Sequence, residues 1–254
     1  MKITNISTYS ADFNMGTGQA LSKTNSKWIF VKIDTDQGIH GWGEVGTSVK
    51  ISEKLMSVAV EEVKNIFIGE NPMDIDRLWN KLFRLFSYMG SRGITTSLIA
   101  GFDIALWDIK GKASNMPIYD LLGGSYREKI RLYCNVWFSD CYTPEDYAAA
   151  AKKNLLGLNY EACKLDPFLE MTPFLTMYQD GFISQKGEEQ GYDIVEAVRE
   201  TVGDKFEILI DAHGHYNVPN AIRLSNNLFE RSNIGWFEEP LPPEGISALK
   251  QVKE

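Results

Sequence analysis

Short apolar runs fill the first part of the chain and then yield to a longer period. Over residues 2–47 they read as strands. Ile3, Ile6 and Tyr9 open the chain, and a polar, glycine-bearing loop covers 14–26. Two further runs, 28–33 and 42–45, flank a turn at Asp36-Gln37-Gly38, which predicts an antiparallel hairpin. Over 50–123 the period becomes helical. Ile94, Leu98, Phe102, Ala105 and Ile109 recur at the three-to-four spacing of a buried helix face. Asn71-Pro72 predicts a helix start, a cap followed by proline at the first helical position.

After Gly123-Gly124 the rhythm changes again. Residues 131–138 predict a strand, and Thr143-Pro144-Glu145-Asp146 predicts a helix start with Thr143 as N-cap. Residues 162–166 form a short strand candidate closed by Pro167, and a long segment, 168–190, precedes a helix near 192–202. Strands follow at 206–211 and 234–238, with helices at 221–229, where Asn217 is a candidate N-cap, and from about Ile246. Strand and helix thus alternate four times, which is the logic of a parallel sheet. The fold expected is an α+β front piece followed by four β/α units, half of a closed TIM-type barrel. A four-stranded open sheet is the alternative. Acidic residues at successive strand ends favour the barrel, because barrel enzymes place their chemistry there.

Composition narrows the classes. Of 254 residues, 44% are apolar and 24% charged, the balance of a globular protein. The net charge of −8 opposes a nucleic-acid or anionic-membrane surface. It does not oppose a small anionic substrate, since a bound divalent cation reverses the local field. No run reaches the roughly 18 apolar residues of a membrane span, and no secretory leader is recognisable. Cys134, Cys141 and Cys163 form no CxxC pair, which suits a reducing cytoplasm.

The chemistry concentrates at strand ends. Asp211 and His213 are two apart, so strand alternation points them together. Glu238 ends the following strand and can lie beside Asp211. Two such carboxylates repel unless a cation sits between them, and oxygen donors suit Mg²⁺ where zinc would recruit His or Cys. The simpler alternative is that these acids cap the following helices. Lys164 and Asp166 also share parity. Lys164 would enter the barrel mouth, to hold a substrate carboxylate or, with a lowered pKa, to take a proton. Its simpler alternative is a surface lysine paired with Asp166.

Two motifs carry a resemblance. Gly101-Phe-Asp-Ile-Ala-Leu-Trp-Asp-Ile-Lys-Gly-Lys112, then Pro117-Ile118 and Leu121-Leu-Gly123, resembles the helix signature of the mandelate racemase/muconate lactonizing family of the enolase superfamily. Ile210-Asp-Ala-His213 with Trp236-Phe-Glu-Glu-Pro240 resembles its second signature. The resemblance implies that Asp211 and Glu238 bind Mg²⁺, with a third carboxylate beyond residue 254. It implies a capping domain over about 1–123 and a modified (β/α)8 barrel from 124, incomplete at 254. It also implies removal of a proton α to a carboxylate, with Mg²⁺ stabilising the enediolate.

Relatives with Lys-x-Lys on the second strand use the second lysine as acid/base, but this chain has Lys164-Leu-Asp166. Lys-x-Asp-Pro at 164–167 and Asp-x-His at 211–213 are more similar to the sugar-acid dehydratases, such as galactonate dehydratase. That implies His213 as the general acid for loss of the 3-hydroxyl. From their places at the strand ends, Lys164 is expected to be catalytic too and Asp166 to contact substrate, with His215, further into the loop, at most a substrate contact. The alternatives are a racemase or epimerase, a non-catalytic member, and for His213 a neutral hydrogen bond to Asp211. The 14–26 loop matches in place the loop that closes over substrate in relatives. Segment 168–190, with Met171, Tyr178 and Phe182, reads as a lid or an interface. The expected setting is cytoplasmic, with a small carboxylate substrate and a homo-oligomer at full length. The 254 residues alone are expected to be inactive, with exposed sheet edges.

Overall fold

The computed structural model describes residues 1–13, 26–45, 53–90, 92–169 and 181–254. The loop at 14–25, and Met171 and Tyr178 of segment 168–190, lie outside the described residues. In the rest of that segment Phe182 is exposed, and the helix expected near 192 already starts at Gln185. The chain divides into two compact units, 1–128 and 129–254 over the described residues, each with its own apolar core.

The first unit holds an antiparallel sheet ordered β1 (Ile3–Phe13), β2 (Ser26–Thr35), β3 (His40–Glu44). The predicted hairpin is β2–β3, turning at Gly38 with φ 76°. Alternation decides the faces: Ile29, Val31 and Ile33 are buried, while Trp28 and Trp42 are exposed. Helices α1 (Glu53–Val63), α2 (Ile75–Leu85), α3 (Ile94–Ser114) and α4 (Ile118–Leu121) follow. β3 lies directly on α3. A Cβ at Gly41 would collide with the carbonyl oxygen of Ala105, and one at Gly43 with that of Gly101. Asp108 and Lys112 of the signature helix fasten this approach. Asp108 Oδ2 accepts from Trp42 N at 2.9 Å and from Lys112 Nζ at 2.7 Å, and Lys112 Nζ also reaches His40 O at 2.9 Å. Phe102 of α3 stacks on Phe67 with ring centres 4.4 Å apart. One expected start is corrected: α2 begins at Ile75, not after Asn71-Pro72. Asn71 instead accepts from Met73 N at 3.2 Å, closing a turn before the helix.

The second unit holds a parallel sheet, β4 (Ala162–Leu165), β5 (Glu207–Asp211) and β6 (Trp236–Glu238), in that order. Helices α5 (Pro144–Asn154), α6 (Gln185–Val202), α7 (Val218–Ser232) and α8 (Ile246–Lys253) alternate with the strands. α5 starts at the expected Thr143, whose hydroxyl accepts from Asp146 N while Asp146 returns a bond to Thr143 N. Asn217 caps α7 by accepting from Asn220 N at 3.1 Å. Fully buried Ile194, Val195 and Leu224 tie α6 and α7 into the core, each contributing about 1.5–3 kcal/mol. Arg199 of α6 joins the lower ends of the unit through four carbonyls, those of Gly203, Phe206, Ser232 and Asn233.

The strand expected over 131–138 shrinks to one residue. Cys134 bridges Cys163, donating to Ala162 O at 2.9 Å and accepting from Lys164 N at 2.8 Å. At Val136 the chain takes φ 56° and leaves the sheet. Asn135 Oδ1 captures the Val136 amide at 2.8 Å, offering a local partner in place of the ladder. Among the described residues, no helix is long and apolar enough to cross a membrane.

Candidate active site

Cys163, Leu165, Ile208 and Ile210 join the helix-covered core, so alternation turns Lys164 and Asp211 to the opposite face of the sheet. Asp211 stands in register with Glu238 at the ends of β5 and β6. Their carboxylates converge on one point. Lys164 Nζ lies 2.8 Å from Asp211 Oδ2 and 2.9 Å from Glu238 Oε1. Asp211 is almost fully buried, whereas Glu238 is a third exposed at its side chain and open to an incoming group.

The other Asp211 oxygen serves His213. Oδ1 accepts from His213 N at 3.1 Å and lies 3.2 Å from His213 Nδ1. His213 Nε2 lies 2.9 Å from Asp166 Oδ2. The ring therefore bridges two carboxylates, and the doubly protonated imidazolium satisfies both. Strand parity brings Asp211 and Glu238 together, but not this pair. β4 ends at Leu165 and β5 at Asp211, so Asp166 and His213 lie beyond the strands. His213 reaches its place through a left-handed turn at φ 47°. Glu239, at φ 43°, turns the facing loop in the same way. Each such non-glycine residue costs about 1–2 kcal/mol. Three backbone bonds hold the two loops in place: Ala212 N to Glu238 O, Gly214 N to Glu239 O and Tyr216 N to Pro240 O.

Lys164 does not pair with Asp166. Burial works against its charge, but the hydrogen bonds that it donates to Asp211 and Glu238, with their negative charges, outweigh burial and hold its pKa well above the ordinary lysine value. A lowered pKa is therefore not what this geometry provides. Burial also works against the His213 cation. The hydrogen bond and charge of Asp166, with the charges of Asp211 and Glu239, reverse that effect and raise its pKa. His215 Nδ1 lies 2.7 Å from Ala212 O, within its own loop, and its ring stands perpendicular to His213 at 6.4 Å between centres.

Two donor sets could hold a cation. Asp166, Asp211 and His213 present ligand atoms all within 4.8 Å of one another. Both nitrogens of that histidine already face carboxylates, so the trio is satisfied as an ion-paired bridge. Asp211 and Glu238 instead offer two hard oxygen donors around a point that already accommodates a positive charge, that of the Lys164 ammonium. That donor set fits Mg²⁺.

The sequence reading missed the aromatic support of this site. Trp137 Nε1 donates to Lys164 O at 3.0 Å, Tyr147 OH to Asp166 O at 3.4 Å, and Lys164 Nζ lies 5.8 Å above the Tyr133 ring. Trp137 and Tyr133 both fell in the segment expected to be a strand, where large apolar residues carry no signal beyond burial.

Comparison with known proteins agrees with both units. The profile of the mandelate racemase/muconate lactonizing enzyme N-terminal domain matches residues 11–123, and the enolase C-terminal domain-like profile matches 146–254. A D-xylonate dehydratase of Haloferax volcanii is 34% identical over 235 residues, 91% of this chain and 54% of that protein. A D-galactonate dehydratase of Pectobacterium atrosepticum is 35% identical over 245 residues, 96% of this chain and 56% of that protein. The chain thus spans about half the length of these relatives. Among solved structures, an enolase superfamily member from Salmonella Typhimurium is 32% identical with a TM-score of 0.85, over 99% of this chain and 64% of that one. A mandelate racemase/muconate lactonizing enzyme-like protein from Rubrobacter xylanophilus is 28% identical with a TM-score of 0.81, over 99% and 64%. Signature helix, strand-end carboxylates and overall likeness agree, and the chain belongs to the mandelate racemase/muconate lactonizing enzyme family of the enolase superfamily.

Proposed function

We propose that this chain carries part of the active site of a Mg²⁺-dependent dehydratase of a sugar acid. The observation that carries the reading is the convergence of Asp211 and Glu238, from adjacent strand ends, on one cationic position beside the His213–Asp166 pair. The dehydratases of D-xylonate, D-gluconate and D-galactonate among the relatives supply the substrate class. Asp211 and Glu238 would hold the ion. When bound, Mg²⁺ would supply positive charge to the substrate carboxylate, whose oxygens take up the electron pair left when a general base, supplied by the rest of the full-length protein, removes the C2 proton.

The remaining residues act on the substrate directly. Lys164, moved off the two carboxylates by the ion, would orient the substrate carboxylate. His213 gives its Nε2 proton to the 3-hydroxyl once that hydroxyl replaces Asp166 Oδ2 as its partner. The C3–O bond breaks, the hydroxyl leaves as water, and the C2–C3 enol becomes a 2-keto-3-deoxy acid. Asp166, released from His213, accepts from a neighbouring substrate hydroxyl, and His215 lines the same loop.

The test is turnover of D-xylonate, D-gluconate and D-galactonate with Mg²⁺ by the full-length protein that includes these residues, read as 2-keto-3-deoxy acid formed. Product is expected with Mg²⁺ and not with EDTA. His213→Asn is expected to abolish dehydration while leaving exchange of the C2 proton in D₂O. Unchanged dehydration in that variant removes the acid role. Exchange in the parent protein without any loss of water makes it an epimerase.

A further inference from the structure

We infer that Trp137 is a positioning residue for Lys164. Its indole N–H replaces a backbone donor that the strand break at Val136 withdraws. The inference rests on the role proposed for Lys164 above.

The register shows which donor is missing. In a parallel ladder the bonds run alternately from one strand to the other at every second residue. Cys134 N donates to Ala162 O and Lys164 N donates to Cys134 O. The next rung would be Val136 N to Lys164 O. That amide is turned away instead, at φ 56°, and donates to Asn135 Oδ1. A β-branched residue in this region is a genuine outlier, so the fold holds it there against its preference. The Lys164 carbonyl, on a buried strand, still needs a donor. Trp137 Nε1 meets it at 3.0 Å.

The indole is itself held firmly. It is buried and packs edge-on against Phe138 and Tyr147, with ring centres 5.6 and 6.1 Å away. Asn154, at the end of α5, donates to the Trp137 carbonyl at 2.9 Å. The Lys164 amide thus keeps its bond to Cys134 O, while its carbonyl is anchored through the indole by α5 and its aromatic neighbours rather than by the first strand. Its side chain then spans to Asp211 and Glu238 from a backbone fixed by a side-chain bond.

The donor can be removed without changing shape. Replacing Trp137 by benzothienylalanine substitutes sulfur for N–H in the same bicyclic outline, and Trp137→Phe removes the donor with some loss of volume. The readout is the amidination rate of Lys164, followed by mass spectrometry with neither metal nor substrate, alongside maleimide labelling of buried Cys141 and Cys163. The expected result is a rise of about fivefold at Lys164, the effect of losing one hydrogen bond to a buried carbonyl, with both thiols unchanged. An unchanged Lys164 rate in the benzothienylalanine protein overturns the inference. So does a rise shared by the two thiols, which would mean general loosening. If Trp137→Phe does not fold, the isosteric replacement alone decides. Because the assay involves no turnover, its failure is distinct from failure of the dehydratase reading.

Discussion

The two units bury different things. In residues 1–128 the core is apolar, and Thr35 is the one polar side chain among the described residues that is buried there. In residues 129–254 the buried set includes Lys164, Glu188, Asp211 and Asn220. The first unit keeps its charges outside, as in the Glu70 cluster with Arg77 and Lys81. The second surrounds charges with protein, where each is costly unless paired and every pairing is stronger for lack of water. The lesson is a division of labour: apolar side chains fill the interior of one unit, with its polar bonds kept at the margin, and the other gives up part of its core to hold charged groups in place.

Four substitutions or conditions test that contrast. The largest effect is expected from Phe102→Ala, which removes a fully buried ring stacked on Phe67. We predict a loss of about 4 kcal/mol, seen as lost amide-exchange protection in 1–128. An equal loss of protection in 129–254 would show that the units do not separate energetically. Next is Lys164→Met, which leaves the buried Asp211 carboxylate facing Glu238 without the ammonium. About 3 kcal/mol of stability is expected to vanish in EDTA and to return in part with Mg²⁺. A variant as stable as the parent in urea would mean that the ammonium does not hold the pair together.

Arg199→Met should come third, at about 2 kcal/mol, because four carbonyls at the ends of α6 and α7 lose a charged donor. Thermal melting will register it, and a shift within error would make the guanidinium dispensable. The smallest effect concerns acid. Arg223, which donates to Glu188 at 2.7 Å, leads the causes that lower the Glu188 pKa from 4.5, and the 2.7 Å Tyr192 hydroxyl bond adds to it. A depressed carboxyl stabilises fully above its unfolded pKa and loses that stability as pH falls through its lower folded value. Hydrogen bonds from Arg77 and Lys81 lower the Glu70 pKa to about 2, with the same sign. That site is exposed, so salt should erase its contribution while leaving that of Glu188. Equal salt sensitivity of the acid transitions in Glu70→Gln and Glu188→Gln would break the contrast.

Much of this was legible in the residues, for particular reasons. The hairpin at Gly38 and the buried face of α3 follow from period and turn chemistry, both local, except that Ile94, expected on that face, starts the helix and is exposed. Asp211 and Glu238 come together because strand parity and adjacent order suffice to place them. The short first strand was not legible. Residues 131–138 have strand-forming composition, and the break depends on one Asn135 side chain capturing one amide. The Asp166–His213 pair also escaped parity, since both residues lie past the ends of their strands and meet through turn geometry. The start of α2 shifted because the Asn71 side chain closed its own turn first. Such local side-chain bonds compete with regular structure on nearly equal terms, so pattern alone does not settle them.

The close approach of β3 to its helix bears on how this sequence can drift. Gly41 and Gly43 have no room for even a methyl group against the helix backbone, so any replacement there must push two elements apart. Trp42, between them, faces the other way, with its amide held by Asp108 and its ring 5.0 Å from that of Tyr9 on the open face of the sheet. Tolerance to mutation should therefore switch from closed to wider and back over three consecutive residues, and a library randomised across 41–43 would return glycine twice with a broader choice of side chains between.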